Sequence, residues 1–274
     1  MAARTRTPPS STSRPDAAPA SRVNRRSWDR SARRYEQLHR PVLRREHGLA
    51  WGLFRLPERT VRLLDPVRGK DVLELGCGAA DWSVALERLG GRVTGLDFSH
   101  ARLSQARRRV RRAHAHVRLV RGNAERAPFA NGRFDLVLSD YGATAFADPR
   151  RYVPEVARIL RPGGQFVFAH ASTYRTLTHD LRSDRLGTTL RRDYFDLHEF
   201  RTPDGVEFQL PLGEWTELFR RVGFAVERFL EPRAPARGRT SYLSAADRAW
   251  ACRWPVEMIW ALRRGPPGRR SGRA

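Results

Sequence analysis

The stretch from Asp71 to Asp81, DVLELGCGAAD, constrains the fold of this chain more than any other. Its first half is apolar at Val72, Leu73 and Leu75, which is typical of a strand buried on both faces. It then breaks into a Gly-Cys-Gly turn, and apolar residues recur at helical spacing from Trp82 to Leu89. A buried strand that enters a helix through a glycine turn is the first crossover of a nucleotide-binding α/β fold, where a ligand approaches bare backbone.

Segments after this turn continue the alternation of strand and helix. Ser99 is the expected N-cap of an arginine-rich helix, and Asp148 followed by Pro149 is expected to begin another. Alternating units of this length predict an α/β fold with a mostly parallel sheet and helices on both faces. The later strands are predicted at 92–97, 117–120, 134–139, 165–169, 224–230 and 256–262, and the helices at 100–112, 149–160, 213–222 and 244–251.

One domain is expected over residues 67–262, with an irregular insertion or lid at 172–205. Residues 1–22 are rich in Ser, Thr, Pro, Ala and Arg, which predicts a disordered basic arm because such a segment buries little apolar surface. Residues 263–274 are expected to form a disordered basic tail. Residues 23–66 are expected to form an N-terminal helical cap, in which one or two helices are interrupted at Pro41 and another spans 56–64.

The formal net charge of +23 is concentrated in three segments. Residues 1–40 hold ten Arg and three acids, residues 100–121 eight Arg and no acid, and residues 263–274 five Arg and no acid. Lys70 is the only lysine, so the use of arginine is more typical of codon bias than of a phosphate-binding surface. A nucleic-acid partner is therefore a hypothesis that the charge pattern does not favour.

The two cysteines, Cys77 and Cys252, are too few for a disulfide framework or a thiolate zinc site. We therefore expect no metal and a reducing, cytoplasmic location. No apolar run approaches the roughly 20 residues that a membrane helix needs, so we expect no membrane partner. The sequence leaves the oligomeric state open.

The glycine turn, Glu74-Leu75-Gly76-Cys77-Gly78-Ala79-Ala80, resembles the first motif of the class I S-adenosylmethionine-dependent methyltransferases, an acid followed by Gly-x-Gly. The resemblance implies S-adenosylmethionine as the cofactor. It places Gly76, Cys77 and Gly78 beneath the methionine portion and Glu74 at the amino group. Position 81 is Asp where a dinucleotide-binding turn requires glycine, which counts against NAD or FAD.

Further matches lie where this family pattern expects them. Asp97 closes the second strand, where a carboxylate can accept hydrogen bonds from both ribose hydroxyls, and Phe98 is expected to pack on adenine. The segment 122–129 is similar to the family segment beside adenine, although the family usually has Asp where this chain has Asn123. We expect the Asn123 carbonyl to accept from the adenine amino group. The predicted cofactor contacts are completed by Ala124, Glu125 and Asp140.

The flanks of the core resemble small-molecule methyltransferases of the broad type-11 group, at Trp28-Asp29 with Tyr35 and at Arg253-Trp254-Pro255 with Ile259-Trp260. The family implies a Rossmann-like, doubly wound sheet of about seven strands. Its last strand runs antiparallel between the fifth and sixth, and residues 256–262 can supply it. Trp28 and Tyr35 are expected to pack in the cap, and a substrate-facing role is the second interpretation.

Tyr141 and His170 are the candidate catalytic residues, because ligands of open α/β sheets bind outside the carboxyl ends of the strands. A base is needed only if the acceptor starts protonated. The alternative interpretation of Tyr141 is that it lines the cofactor pocket. The alternative interpretation of His170 is that it is only a hydrogen-bonded histidine at a strand end. His179 and His198 are assigned no role.

The sequence thus predicts a methyltransferase that transfers a methyl group from S-adenosylmethionine to a small organic acceptor by in-line displacement. The first alternative is an RNA or protein methyltransferase that uses its arginine-rich surfaces. Against it, the arginines lack the interleaved aromatic residues of a stacking surface. The second alternative is a binding protein that retains the cofactor without catalysis.

Overall fold

The structure, a computed structural model, describes residues 19–43 and 48–266. Strands and helices are numbered along the chain. The strands are β1 (Ala50–Trp51), β2 (Leu56–Pro57), β3 (Asp71–Leu75), β4 (Arg92–Asp97), β5 (Arg118–Arg121), β6 (Phe134–Asp140), β7 (Leu160–Ala171), β8 (Glu199–Thr202), β9 (Gly205–Phe208), β10 (Phe224–Leu230) and β11 (Glu257–Arg264). The helices are α1 (Ala20–Leu43), α2 (Glu58–Val61), α3 (Asp81–Arg88), α4 (His100–Arg112), α5 (Pro149–Ile159), α6 (Thr173–Thr178), α7 (Leu212–Arg221) and α8 (Ala245–Ala251).

Seven strands form the central sheet, in the order β10-β11-β7-β6-β3-β4-β5. β11 pairs antiparallel with both β7 and β10, and the other neighbouring strands pair in parallel. All five residues of β3 are buried, because one apolar cluster with Trp215 of α7 and another with Trp82 of α3 cover the two faces of the sheet. These observations confirm the predicted Rossmann-like, doubly wound sheet with its last strand antiparallel between the fifth and sixth.

Two helix starts are fixed by the side chains that the sequence indicates. The Ser99 hydroxyl accepts a hydrogen bond from the Arg102 amide at the start of α4. The Asp148 carboxylate accepts one from the Arg150 amide at the start of α5, and Pro149 occupies the first turn. Both predicted caps are confirmed. They set the directions in which these helices leave the carboxyl ends of their strands.

The predicted cap differs from the structure in two ways. A single helix, α1, runs from Ala20 through Pro41 to Leu43, so the predicted interruption is wrong, and the helix begins three residues inside the predicted arm. A proline this close to the helix end removes only one helical hydrogen bond, which tertiary packing can offset. The helix predicted over 56–64 is reduced to α2, and it is preceded by the β1–β2 hairpin, which the pattern did not indicate.

Helix α1 is fixed over the carboxyl ends of β3 and β4 by hydrogen bonds to three parts of the domain. The Asn24 side chain donates to the carbonyl oxygens of Phe146 and Val206, at 2.8 and 2.7 Å, and accepts from the Val206 amide. The Gln105 side chain on α4 donates to the Ala32 carbonyl at 3.0 Å. Because these partners lie on separate elements, α1 forms one wall of the cavity described below.

The segment after Ala171 is more regular than the sequence indicates. It contains α6 and the β8–β9 hairpin, which extends to Phe208 and past the predicted end of the insertion at 205. β7 begins at Leu160, five residues before the predicted strand. Residues 161–164, which lie between the predicted helix and the predicted strand, form an irregularity within β7. β11 continues to Arg264, two residues into the predicted tail. Residues 1–18 and 267–274, with most of the predicted arm and tail, lie outside the described residues.

Candidate active site

A cavity lies at the carboxyl ends of β3, β4 and β6, beneath α1. It contains about 940 Å³ of empty space, part of it open to solvent. Ten of the twelve predicted site residues line it, which places four separate segments of the chain around one site. They are Glu74, Gly76, Cys77, Gly78, Asp97, Phe98, Asn123, Ala124, Asp140 and Tyr141.

The glycine turn packs directly against the loop after β6. Gly76 has a φ of +76°, and a Cβ at this position would lie 2.1 Å from the Ala143 backbone nitrogen. The amides of Gly76 and Cys77 both donate to the Leu96 carbonyl, at 2.8 and 2.9 Å. Glycine is therefore required at position 76 both by the backbone angle and by the close approach of a second chain segment.

Asp97 connects the end of β4 to the glycine turn. Its Oδ2 accepts from the Gly78 amide at 2.9 Å, and its Oδ1 accepts from the Ser99 amide at 2.8 Å. Burial raises the pKa of this carboxyl, and the two amide bonds oppose the rise. Because each carboxylate oxygen can accept more than one hydrogen bond, Asp97 retains capacity for a ligand.

Glu74 is buried at the carboxyl end of β3. Its Oε2 accepts from the Ser83 amide at 2.8 Å and from the Ser83 hydroxyl, which ties the carboxyl to the first turn of α3. Burial raises the pKa of Glu74 to about 8, and the charges of Asp81 and Asp140 add to the rise. The carboxyl is therefore mainly protonated at neutral pH when the cavity holds no cation.

Tyr141 lies at the end of β6 in a left-handed backbone conformation, with a φ of +54°. Its hydroxyl is buried beside the Glu257 carboxyl, close enough to hydrogen-bond it. Burial raises the pKa of Tyr141 well above its usual value, and the nearby charge of Glu257 raises it further. Tyr141 therefore lies in the cavity wall with its hydroxyl enclosed by protein, next to Glu257.

Asp140 is held by the β1–β2 hairpin. Its Oδ1 accepts from the Gly52 amide at 2.8 Å, and its Oδ2 pairs with the Arg55 guanidinium at 2.8 Å. Trp82 donates from Nε1 to the same Oδ2 at 3.3 Å. Asp140 thus lines the cavity as an already paired carboxylate, and Arg55 is a cavity residue that the sequence reasoning did not find.

Asn123 adopts a local arrangement that modifies its predicted contact. Its Oδ1 accepts from the Glu125 amide at 3.0 Å, a turn that Asn commonly makes with its own backbone. The amide oxygen can accept a second hydrogen bond. Asn123 lies in the cavity wall, so the predicted adenine contact stays a prediction.

Glu125 and His170 are the two predicted site residues outside the cavity lining. Glu125 points toward α5, where its carboxylate accepts from the Asp148 amide at 3.1 Å. His170 lies on the same face of β7 as Phe168, since side chains alternate along a strand, and its ring contacts Trp215 of α7. Burial lowers the pKa of His170 to about 4. The structure therefore does not support His170 as a catalytic residue.

Aromatic side chains line the cavity on the α1 side. Trp28 contacts Tyr35 at a ring-centre distance of 5.1 Å and Phe146 at 5.3 Å, both edge to face. The Tyr35 hydroxyl hydrogen-bonds the Tyr242 hydroxyl at 3.0 Å. Trp28 and Tyr35 pack against each other in α1, and both also line the cavity, so their substrate-facing role stays a prediction. Arg102 of α4 also lines it, three residues after the N-cap, a position that the charge pattern alone did not distinguish.

Residues 73–168 match the family model described as "Methyltransferase domain". A demethylmenaquinone methyltransferase from Listeria welshimeri is 40% identical over 112 residues, which cover 39% of this chain and 48% of that protein. Residues 73–168 are thus similar to a methyltransferase domain. Another demethylmenaquinone methyltransferase, from a Geobacillus species, is 33% identical over 149 residues, covering 53% of this chain and 61% of the relative. The chain spans about half the length of the curated relatives that it matches.

A solved S-adenosylmethionine-dependent methyltransferase from Mesorhizobium loti has the same fold as this methyltransferase domain and its flanks. It superposes with a TM-score of 0.62 at 23% identity, over 78% of this chain and 100% of the other. This neighbour shows that the fold is shared, and S-adenosylmethionine stays the cofactor that the motif predicts.

Within residues 19–43 and 48–266, no helix is both long and apolar enough to cross a bilayer. The same residues contain no group of three or more His, Cys, Asp or Glu side chains arranged to hold a metal ion.

Proposed function

We propose that this chain is an S-adenosylmethionine-dependent methyltransferase that acts on a small organic acceptor with an aromatic ring. The observation that carries this proposal is that one cavity is lined both by the glycine turn with Asp97 and by the aromatic residues Trp28 and Tyr35 of α1. The names of the two curated relatives, which specify a quinone acceptor, support the same class of substrate. The predicted cytoplasmic location stays a prediction.

The residues of the cavity fit the cofactor. Gly76 and Gly78 present backbone without side chains at the turn, and the buried Asp97 carboxylate can accept from ribose hydroxyls while it keeps its two amide bonds. Phe98 and Asn123 lie in the same wall, where the family resemblance places adenine. When bound, the sulfonium of S-adenosylmethionine supplies an electrophilic methyl group with a good leaving group.

The protein's own contribution is to orient the acceptor and to exclude water. Trp28, Tyr35 and Phe146 provide ring faces and edges on which a flat acceptor can pack. Tyr141 lies in the same cavity wall and stays a predicted contact of the acceptor. Positioning of this kind can supply much of the rate for an in-line displacement. The acceptor loses a proton as the methyl group bonds to it, so a reduced, hydroxylated ring is the expected form.

Incubation with S-adenosylmethionine and a panel of acceptors, followed by mass spectrometry, tests the proposal. The panel contains a reduced naphthoquinone that lacks the ring methyl, a catechol, a short RNA and a protein mixture. Equal amounts of S-adenosylhomocysteine and a singly methylated aromatic product are the expected result. Methylation of RNA or protein alone, or binding without turnover of any acceptor, would favour one of the two alternative functions.

Tyr141→Phe is expected to separate acceptor binding from stability. Because the hydroxyl is buried beside the Glu257 carboxyl, its removal should lower the free energy of unfolding by no more than about 1 kcal/mol in urea titrations. The affinity for S-adenosylhomocysteine should not change, while kcat/KM for the acceptor should fall at least about tenfold. A larger loss of stability with unchanged kcat/KM would show that the hydroxyl serves the fold through Glu257 and does not contact the acceptor.

Glu74 is expected to release a proton when S-adenosylhomocysteine binds at pH 7. Its pKa of about 8 keeps it mainly protonated in the free protein, and an ammonium group beside it favours the charged carboxylate. The affinity for S-adenosylhomocysteine should therefore rise between pH 7 and pH 8 and level off above pH 8. Calorimetry in two buffers of different ionisation enthalpy measures the released proton, up to one per site.

Glu74→Gln is the matched variant for this measurement, because it keeps an oxygen for Ser83 and removes the titration. It should bind S-adenosylhomocysteine without proton release and roughly tenfold more weakly. Proton release that persists unchanged in Glu74→Gln would assign it to another group and would refute the contact between Glu74 and the amino group.

A further inference from the structure

We propose that Arg102 is a carboxylate-binding residue of the cavity, which takes the carboxylate of either the cofactor's amino-acid end or an acidic acceptor. The inference rests on the proposed function and specifies its site. It assigns a ligand group to a side chain that belongs to none of the motifs above.

Arg102 is held rigidly inside the protein. Its residue is 7% exposed, and its Nη1 donates to the Gln105 Oε1 at 2.7 Å. Gln105 is in turn fixed because its own amide nitrogen donates to the Ala32 carbonyl of α1. The guanidinium therefore occupies one position between α1 and α4, which is the condition for precise recognition of a ligand group.

The surroundings of the guanidinium are aromatic on one side and bare backbone on the other. Its central carbon lies 5.0 Å from the Tyr35 ring centre and 5.8 Å from that of Trp28. A Cβ added at Gly78 would lie 2.6 Å from the Arg102 Nη2, so this end of the side chain rests on the glycine turn. Arg102 thus points at the part of the cavity where the methionine portion of the cofactor is expected.

The charge of Arg102 has no ion-pair partner within 4 Å among the described residues. By contrast, Arg55 pairs with Asp140, and Arg109 on the same helix pairs with Asp81. Asp97 is near enough for the charge of Arg102 to lower its pKa, but its oxygens accept from the amides of Gly78 and Ser99. A buried guanidinium without a carboxylate is costly, and an anionic ligand group removes that cost.

A carboxylate matches the planar guanidinium with two parallel hydrogen bonds. Two ligands can bring one into the cavity. The amino-acid end of S-adenosylmethionine carries a carboxylate, and an aromatic acid acceptor carries another. The experiment separates these two sources.

Arg102→Met removes the charge and keeps an extended apolar side chain over the aromatic rings. Calorimetry on the full chain measures the affinity for S-adenosylhomocysteine and for 5′-methylthioadenosine, which lacks the amino-acid end. A second titration measures the affinity for 4-hydroxybenzoate on the protein loaded with S-adenosylhomocysteine. If Arg102 binds the cofactor carboxylate, S-adenosylhomocysteine affinity falls about 10- to 150-fold and methylthioadenosine affinity is unchanged. If it binds an acceptor carboxylate, only 4-hydroxybenzoate binding is lost.

Arg108→Met is the control, because it removes the same charge from the exposed side of α4 and should change none of these affinities. Arg102→Lys should restore part of the lost affinity. Unchanged affinity for all three compounds in Arg102→Met would overturn the inference. A parallel loss of S-adenosylhomocysteine and methylthioadenosine would also overturn it, since Arg102 would then support the fold. Failure of the parent protein to bind S-adenosylhomocysteine would instead refute the proposed function.

Discussion

Replacing Asp97 by alanine is expected to weaken the binding of S-adenosylhomocysteine by roughly 10- to 150-fold in titration calorimetry. Asp97 is the buried carboxylate that faces the cavity from the end of β4, and loss of a charged acceptor removes its bonds to the ribose hydroxyls. The variant also loses the acceptor of the Gly78 and Ser99 amides. Part of the effect will therefore come from a looser glycine turn.

Asp97→Asn removes the negative charge and keeps one oxygen, so it retains one of the two amide bonds and turns its NH2 toward the other amide. It should lose part of the parent's thermal stability and bind at least tenfold more weakly. Asp184→Asn is the charge-matched control, since the Asp184 side chain is 89% exposed and lies outside the cavity lining. Parent-like binding by Asp97→Ala would show that the ribose assignment is wrong.

Gly76→Ala is expected to produce the largest loss of stability. The new Cβ would lie 2.1 Å from the Ala143 nitrogen and 2.6 Å from the Gly142 carbonyl carbon, both backbone atoms that cannot move without shifting the loop after β6. A left-handed φ adds about 1–2 kcal/mol for a residue with a side chain. The overpacking should lower the free energy of unfolding, measured in urea, by at least about 2 kcal/mol more.

Gly163→Ala is the matched control for Gly76→Ala. Gly163 has nearly the same φ, +75°, but no atom lies within 4 Å of the position that its Cβ would take. The Gly163→Ala variant should lower the free energy of unfolding only by the backbone contribution of about 1–2 kcal/mol. Equal losses in the two variants would show that the contact between the glycine turn and the loop after β6 is not tight.

The strand-turn-helix units of the core could be predicted because their signals are local. β4 has the predicted bounds of 92–97, and Ser99 and Asp148 cap the helices as expected. The motif order also placed Glu74, Asp97 and Asn123 around one cavity. A parallel sheet brings the carboxyl ends of its strands together, so residues that follow successive strands meet there.

The direction of individual side chains could not be predicted from the same patterns. His170 follows a strand as Tyr141 does, but the alternation of β7 places it under α7, and which face is the cavity side depends on the tertiary fold. Glu125 lies in the correct segment and points to α5. Arg55 and Arg102 were missed because an arginine in a basic chain gives no signal of its burial.

The regions around the core were predicted least well, because long-range contacts determine them. The continuity of α1 depends on Asn24 binding Phe146 and Val206, which are more than 100 residues away in the chain. The β8–β9 hairpin lies in a charged segment with little periodicity. Helix α1 lines the aromatic side of the cavity, so the sequence predicts the cofactor of the domain and leaves the acceptor open.

In a crystal structure of the full chain with S-adenosylhomocysteine, we expect the ribose hydroxyls at Asp97, the amino group at Glu74, and the sulfur facing the space between Tyr141 and the aromatic residues of α1. Binding of the ligand outside this cavity, or no contact between the ribose and Asp97, would contradict the cofactor site proposed for this domain.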